Sequence, residues 1–162
     1  MLSISTENEL SIYHLDGKWN DYVGVQKEVI SVLTQLDFFE NKDVTNLATG
    51  MVVRITARGI KETIGNSKRF QTLPKNVKKQ KIATIRMLPL LIKEGKMIED
   101  NVENYHTSNG DKFAYFITPI LIDEIVHNIR IVVRKKINSN HFYIHHIDTE
   151  KVLNCSAHLK RR

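Results

Sequence analysis

The chain has 162 residues, 41% hydrophobic and 26% charged, the balance of a globular domain long enough to bury a real core. Its single cysteine, Cys155, excludes an internal disulfide and a four-cysteine zinc site. No apolar run reaches the roughly 18 residues that cross a bilayer, and the first ten residues, with Glu7 and Glu9, lack the basic flank of a secretion signal. In chain order, a strand is predicted over Leu10 to Leu15, followed by a turn at Asp16-Gly17. A helix follows from Val25 to Phe38, with Val25, Val29, Val32, Leu33 and Leu36 forming one apolar stripe. The polar, turn-rich stretch from Asn41 to Gly50 is the candidate boundary between an acidic, helix-containing extension (1–45) and a basic domain (46–162).

Beyond it the pattern becomes α+β. Met51 to Thr56 reads as a strand and Gly59 to Ile64 as a short helix. A basic loop carrying Lys68 and Arg69 leads to a longer helix from Lys75 to Leu88, with Ile82, Ile85 and Leu88 inward. Pro89 cannot continue that helix but can open a new turn over Leu90 to Glu94. A weak strand, Lys96 to Glu103, precedes three stronger ones at Phe113 to Ile122, Asn128 to Lys135 and His141 to Ile147. Short connections at Asp123-Glu124 and Ile137 to Asn140 join them. Lys151 to Arg162 reads as a basic tail. The expected architecture is helices packed on an antiparallel meander of four to five strands.

The net charge of +6 conceals an uneven division. Residues 1–50 hold three basic and eight acidic side chains, net −5, so the remainder carries +11. From Arg54 to Lys96, twelve basic residues face only Glu62 and Glu94. That excess spans several elements and points to a polyanion such as RNA, a solvated helix face being the duller alternative.

Strand alternation sorts the candidate chemistry. Arg130 and Arg134 share a face of their strand, and pairing with the last strand sets them beside Tyr143 and His145. His146 falls on the opposite face with Phe142 and Ile144, which suits a core histidine equally well. Arginine, histidine and tyrosine on one basic face are what metal-free RNA cleavage uses. Histidine exchanges protons near neutrality, and arginine forks onto phosphate oxygens. The arginines can equally serve only to solubilise the strand. His106 is either an exposed loop residue or a flap over the site. No zinc site is expected: His141 and His145 would stand roughly 13 Å apart along a strand, and HExxH and CxxC are absent. Gly-rich phosphate loops and the GxSxG elbow are absent too. No cofactor is expected.

The run Arg54-Ile55-Thr56-Ala57-Arg58-Gly59-Ile60-Lys61-Glu62-Thr63 leads a strand into a Gly-Ile-Lys-x-Thr helix start. Leu88-Pro89-Leu90-Leu91-Ile92, Phe113-Ala114-Tyr115-Phe116, Arg130-Ile131-Val132-Val133-Arg134 and Tyr143-Ile144-His145-His146 follow in order. Together these resemble the barnase–EndoU–colicin–RelE superfamily of nucleases, in the branch of phage and mobile-element polyproteins and polymorphic, contact-dependent inhibition toxins. The resemblance covers about residues 45–150. It implies a metal-independent ribonuclease that attacks through the 2′-hydroxyl, with tRNA among its targets. It also implies delivery into the cytoplasm of a competing bacterium and neutralisation by a cognate immunity protein. By the same resemblance Arg58, Lys61 and Thr63 line the site with Arg134, Tyr143 and His145 or His146. A non-catalytic RNA- or DNA-binding module, and an immunity or assembly domain that meets an acidic protein, remain the alternative expectations.

Overall fold

A computed structural model describes residues 1–40, 43–65, 68–103 and 110–152, and of 68–69 and 100–103 the backbone alone. Its spine is a long hairpin of β5 (Lys112–Ile122) and β6 (Ile125–Lys135), paired without a break from Lys112↔Lys135 to Ile122↔Ile125. The tight turn needs two consecutive left-handed residues, and Asp123 and Glu124 supply φ of 50° and 68°. Neither is glycine, so the turn is held from outside. The Asp123 carboxylate accepts hydrogen bonds from the Thr6 N–H at 2.8 Å and from the Thr6 hydroxyl, and the Asp123 N–H donates to the Ile4 carbonyl at 3.0 Å.

Those contacts bring the N-terminus to the hairpin, where β1 (Leu2–Ile4) pairs in parallel with Ile120–Ile122 of β5. The same edge of β5 carries β4 (Lys96–Glu103), antiparallel, along Lys112–Ile117. Pro119, which has no N–H to offer, falls in the gap between these two partners. On the other side, β7 (Phe142–Lys151) runs antiparallel to β6. Beyond it β3 (Val52–Arg54) lies parallel to the start of β7, and β2 (Asp43–Thr45) pairs antiparallel with β3. The sheet is therefore mixed and has seven strands, not the antiparallel meander of four to five that the sequence predicts. Two parallel pairings make the difference. Both use three-residue strands, too short to show alternation, against segments far away in sequence.

Six α-helices lie among the described residues. They are α1 (Thr6–Leu10), α2 (Tyr22–Gln35), α3 (Ala57–Thr63), α4 (Lys68–Thr72), α5 (Lys75–Thr84) and α6 (Leu88–Glu94). Side chains start two of them: Asp21 accepts from the Gly24 N–H at 3.1 Å, and the Thr56 hydroxyl accepts from the Gly59 N–H at 3.0 Å. The strand expected at Leu10 to Leu15 is absent. α1 ends at Leu10, and Tyr13 and Leu15 enter the core from irregular chain. The long helix expected from Lys75 instead stops at Thr84, passes through a 3-10 turn at Ile85–Met87, and restarts as α6 with Pro89 in its first turn. No helix among the described residues is long and apolar enough to cross a membrane.

One core joins these layers. Val25, Val29 and Leu33 of α2 meet Ile60 of α3, Ile82 of α5 and Leu91 of α6 over Phe116, Ile131, Val133, Ile144 and Ile147 of the sheet. Residues 1–45 thus contribute strands to the same sheet and side chains to the same core. The turn after β2 is fastened by Asn46, which is fully buried. Its amide donates at 2.7 Å to the carbonyls of both Ile92 and Gly95, and its oxygen accepts from the Thr49 N–H at 3.0 Å and the Thr49 hydroxyl at 2.8 Å.

Candidate active site

The outer edge of β7 is paired with β3 only at Phe142 and Tyr143; beyond them α3 and α5 pack on the strand. Gly59 permits the close approach of α3, because a Cβ there would stand 2.3 Å from the Ile144 carbonyl oxygen. The next residue carries the irregularity on which the site depends. Val133 pairs with Ile144 and Val132 with His146, so His145 is an extra residue in the strand, a β-bulge. Ile144 before it and Ile147 after it both reach the core, and the two histidines between them are both turned out of it. Their rings meet edge to face with centroids 5.2 Å apart. Simple alternation places His145 and His146 on opposite faces; the bulge overturns that expectation.

Both histidines line a cavity of about 330 Å³. Its other walls include Glu62 and Thr63 from the end of α3, Lys81 of α5, Asp148 of β7, and the apolar side chains Phe70, Leu73 and Val77. Each histidine meets its own carboxylate. His145 Nδ1 lies 2.9 Å from Glu62 Oε2, and both atoms are shielded from solvent. His146 Nε2 lies 3.2 Å from Asp148 Oδ2, and Lys81 Nζ approaches the other Asp148 oxygen at 3.4 Å.

These surroundings set the charge states. Burial pushes the His145 imidazolium to ionise below its usual 6.5; Glu62 opposes the shift, while His146 and Arg134 reinforce it. His145 is thus a neutral imidazole at pH 7. The hydrogen bond with His146 and the charge of Lys81 hold the Asp148 carboxyl far below the usual carboxylate range, so it remains ionised. A base, a second imidazole, an anchored carboxylate and an ammonium therefore converge on one space. That arrangement can move protons at two points of a bound ligand.

The sequence candidates divide around this cavity. Thr63 is in its wall, buried, but its hydroxyl already donates to the Gly59 carbonyl at 3.0 Å. Tyr143 stands one residue before the bulged segment, in register with Arg134, and burial pushes its phenol up. Arg134 is committed elsewhere: its guanidinium pairs with Asp111, 3% exposed, which also accepts from the Ile137 N–H at 3.2 Å. Burial opposes ionisation of Asp111, yet Arg134 and the Ile137 N–H hold its carboxyl below the ordinary value. Arg58 is exposed and lies 3.5 Å from Glu62. Lys61 is exposed and outside the cavity lining. Arg130 is exposed on the sheet, its guanidinium 4.8 Å over the Tyr115 ring. Lys68 and Arg69 belong to α4 by their backbone, and their side chains lie outside the described residues, as does His106 entirely.

Three members of the cavity went unread in the sequence: Glu62, Lys81 and Asp148. Asp148 was within reach, since it stands two residues from His146 and therefore on its face. Glu62 and Lys81 come from helices, and no local pattern ties them to β7. The basic excess is also partly spent internally. Arg54 pairs with Asp43 at 2.9 Å, the buried Lys78 donates to the Trp19 carbonyl at 3.1 Å, and Lys75 and Lys79 stand over the Trp19 ring at 5.9 and 5.8 Å.

The fold and site define an α+β domain with a mixed sheet and, at the bulged edge of one strand, a cavity lined by two histidines and two carboxylates. The family described as large polyvalent protein-associated domain 3 matches residues 25–144, most of the chain, and the chain belongs to that family. The matched span includes Glu62 and Lys81 and ends one residue before the bulge. No curated protein and no solved structure matches the chain.

Proposed function

We propose that this domain is a metal-independent ribonuclease of the barnase–EndoU–colicin–RelE kind, acting as a toxin on RNA, tRNA among its substrates, in the cytoplasm of a competing bacterium, and blocked there by an immunity protein. The observation that carries the reading is the bulge. It gathers two histidines, each with its own carboxylate, beside a lysine in one cavity.

His145, neutral and held at Nδ1 by Glu62, removes the proton of a ribose 2′-hydroxyl. The freed oxygen attacks the adjacent phosphorus, and the bond to the 5′-oxygen breaks. His146, anchored at Nε2 by Asp148, delivers a proton to that leaving oxygen. The products are a 2′,3′-cyclic phosphate and a free 5′-hydroxyl. Lys81 supports the negative charge that builds on the phosphoryl oxygens. Lys61 and Arg130, both exposed, serve to draw RNA in. Arg134 acts through its anchor on Asp111, holding β6 beside the site.

Purified protein incubated with total bacterial RNA, with and without EDTA, tests the reading. The expected result is cleavage insensitive to EDTA, leaving cyclic phosphate ends. His145→Ala or His146→Ala is expected to cut the rate by 10²–10⁴-fold, the usual worth of a general acid or base. RNA that is bound by the native protein and left uncut would refute the enzyme.

A further inference from the structure

The cavity has more than an acid–base edge. Beside the histidines, Lys81 and Asp148, it is lined by Phe70, Leu73 and Val77. Leu73 and Val77 are only half-buried, so part of their apolar surface faces this space, while Phe70 and Leu73 also pack against the core behind it. Gly65, at φ +111°, makes room for the Phe70 side chain: a Cβ there would fall 2.1 Å from Phe70 Cβ. Cleaving a phosphodiester needs no such wall.

Charge narrows the ligand further. The cavity's fixed charges are the carboxylates of Glu62 and Asp148 against the ammonium of Lys81, with both carboxylates already engaged by the histidines. A bare phosphate would meet only the Lys81 and histidine side of the cavity and leave its apolar wall uncovered. A ligand joining an anion to an apolar, planar body matches both walls. Size agrees: about 330 Å³ lies at the lower end of the roughly 300–1,000 Å³ typical of small-ligand sites. That is space for one nucleotide and not for a helix, and a base reaches such a cavity only when it is unpaired.

Resting on the ribonuclease reading, we propose that the cavity is a slot for a single unpaired nucleotide, its base against Phe70, Leu73 and Val77 and its phosphate at His145, His146 and Lys81. The substrate class is then single-stranded RNA or an RNA loop. Loss of Val77 costs base-dependent affinity, while loss of the histidines costs turnover.

Calorimetric titration with uridine and guanosine 3′-monophosphates, ribose 5-phosphate and inorganic phosphate tests the slot without any cleavage. At least one nucleotide is expected to bind about tenfold or more tighter than ribose 5-phosphate, the scale of one base on apolar or aromatic side chains. Val77→Trp, which fills the slot, is expected to abolish that difference. Val77→Thr, which keeps the volume, is expected to weaken it and guards against misfolding of the larger variant. Equal affinity for nucleotides and ribose 5-phosphate, or base-dependent binding unchanged in both folded variants, overturns the slot. Base-dependent binding by a protein that leaves RNA intact upholds the slot and overturns the ribonuclease. RNA cleavage without base dependence does the reverse.

Discussion

Replacing Gly59 by alanine tests whether the approach of α3 to β7 builds the site. An alanine Cβ would stand 2.3 Å from the Ile144 carbonyl oxygen and 3.1 Å from its carbon, about 1 Å short of ordinary contact at the oxygen. The obstacle is backbone in a paired strand, so it cannot rotate aside. Two effects of opposite sign compete. Alanine gains up to about 1 kcal/mol of helix propensity over glycine. Overpacking against a fixed neighbour costs about 1–3 kcal/mol, and a backbone obstacle puts this case at the upper end. The expected net loss is about 2 kcal/mol, or roughly 4–8 °C in Tm for a chain of this size. The relieving movement carries Glu62 with α3, lengthening its 2.9 Å contact with His145 toward about 4 Å. A displacement of that size costs on the order of 100-fold in rate when the geometry is catalytic. Urea denaturation and RNA cleavage measure the two effects separately. A variant more stable by about 1 kcal/mol with unchanged cleavage refutes the reasoning, because it shows propensity acting with no clash.

Asn46→Ala strips donors from the Ile92 and Gly95 carbonyls and the acceptor shared by the Thr49 N–H and hydroxyl. At about 1 kcal/mol per buried hydrogen bond, chemical denaturation should show a loss of about 3–4 kcal/mol; a loss under about 1 kcal/mol would mean that the turn holds without it. Stability should also fall on mild acidification. His145 is depressed below 6.5 in the fold, so the unfolded chain binds its proton first. Its contribution is complete above pH 6.5 and is lost as pH falls through the lower native value. Asp148 and Asp111, also depressed, add losses that begin below their ordinary 3.8. Unfolding followed against pH should lose the upper segment in His145→Gln, and an unchanged profile contradicts the burial argument.

Much of the secondary structure was legible because its signals are local. The stripe from Val25 to Leu33, the short helix after Gly59, Pro89 and the alternation of β5 and β6 are each read within a dozen residues. The break at Thr84 was not legible, since Ile82, Ile85 and Leu88 keep helical spacing across it and all are buried. The parallel placements of β1 and β3 were hidden for the opposite reason: three residues carry no period, and their partners lie in β5 and β7.

By itself the sequence determined an α+β chain with a basic second part, the hairpin at its centre, and the two histidines as the groups to watch. Only the tertiary structure decided where those histidines stand and what they meet. Alternation assumes an unbroken strand, and one extra residue opposite Val132 and Val133 reverses the side taken by everything before it relative to everything after. Glu62, Lys81 and Asp148 then meet them because α3, α5 and β7 pack together, and packing between distant segments leaves no period in the chain to read.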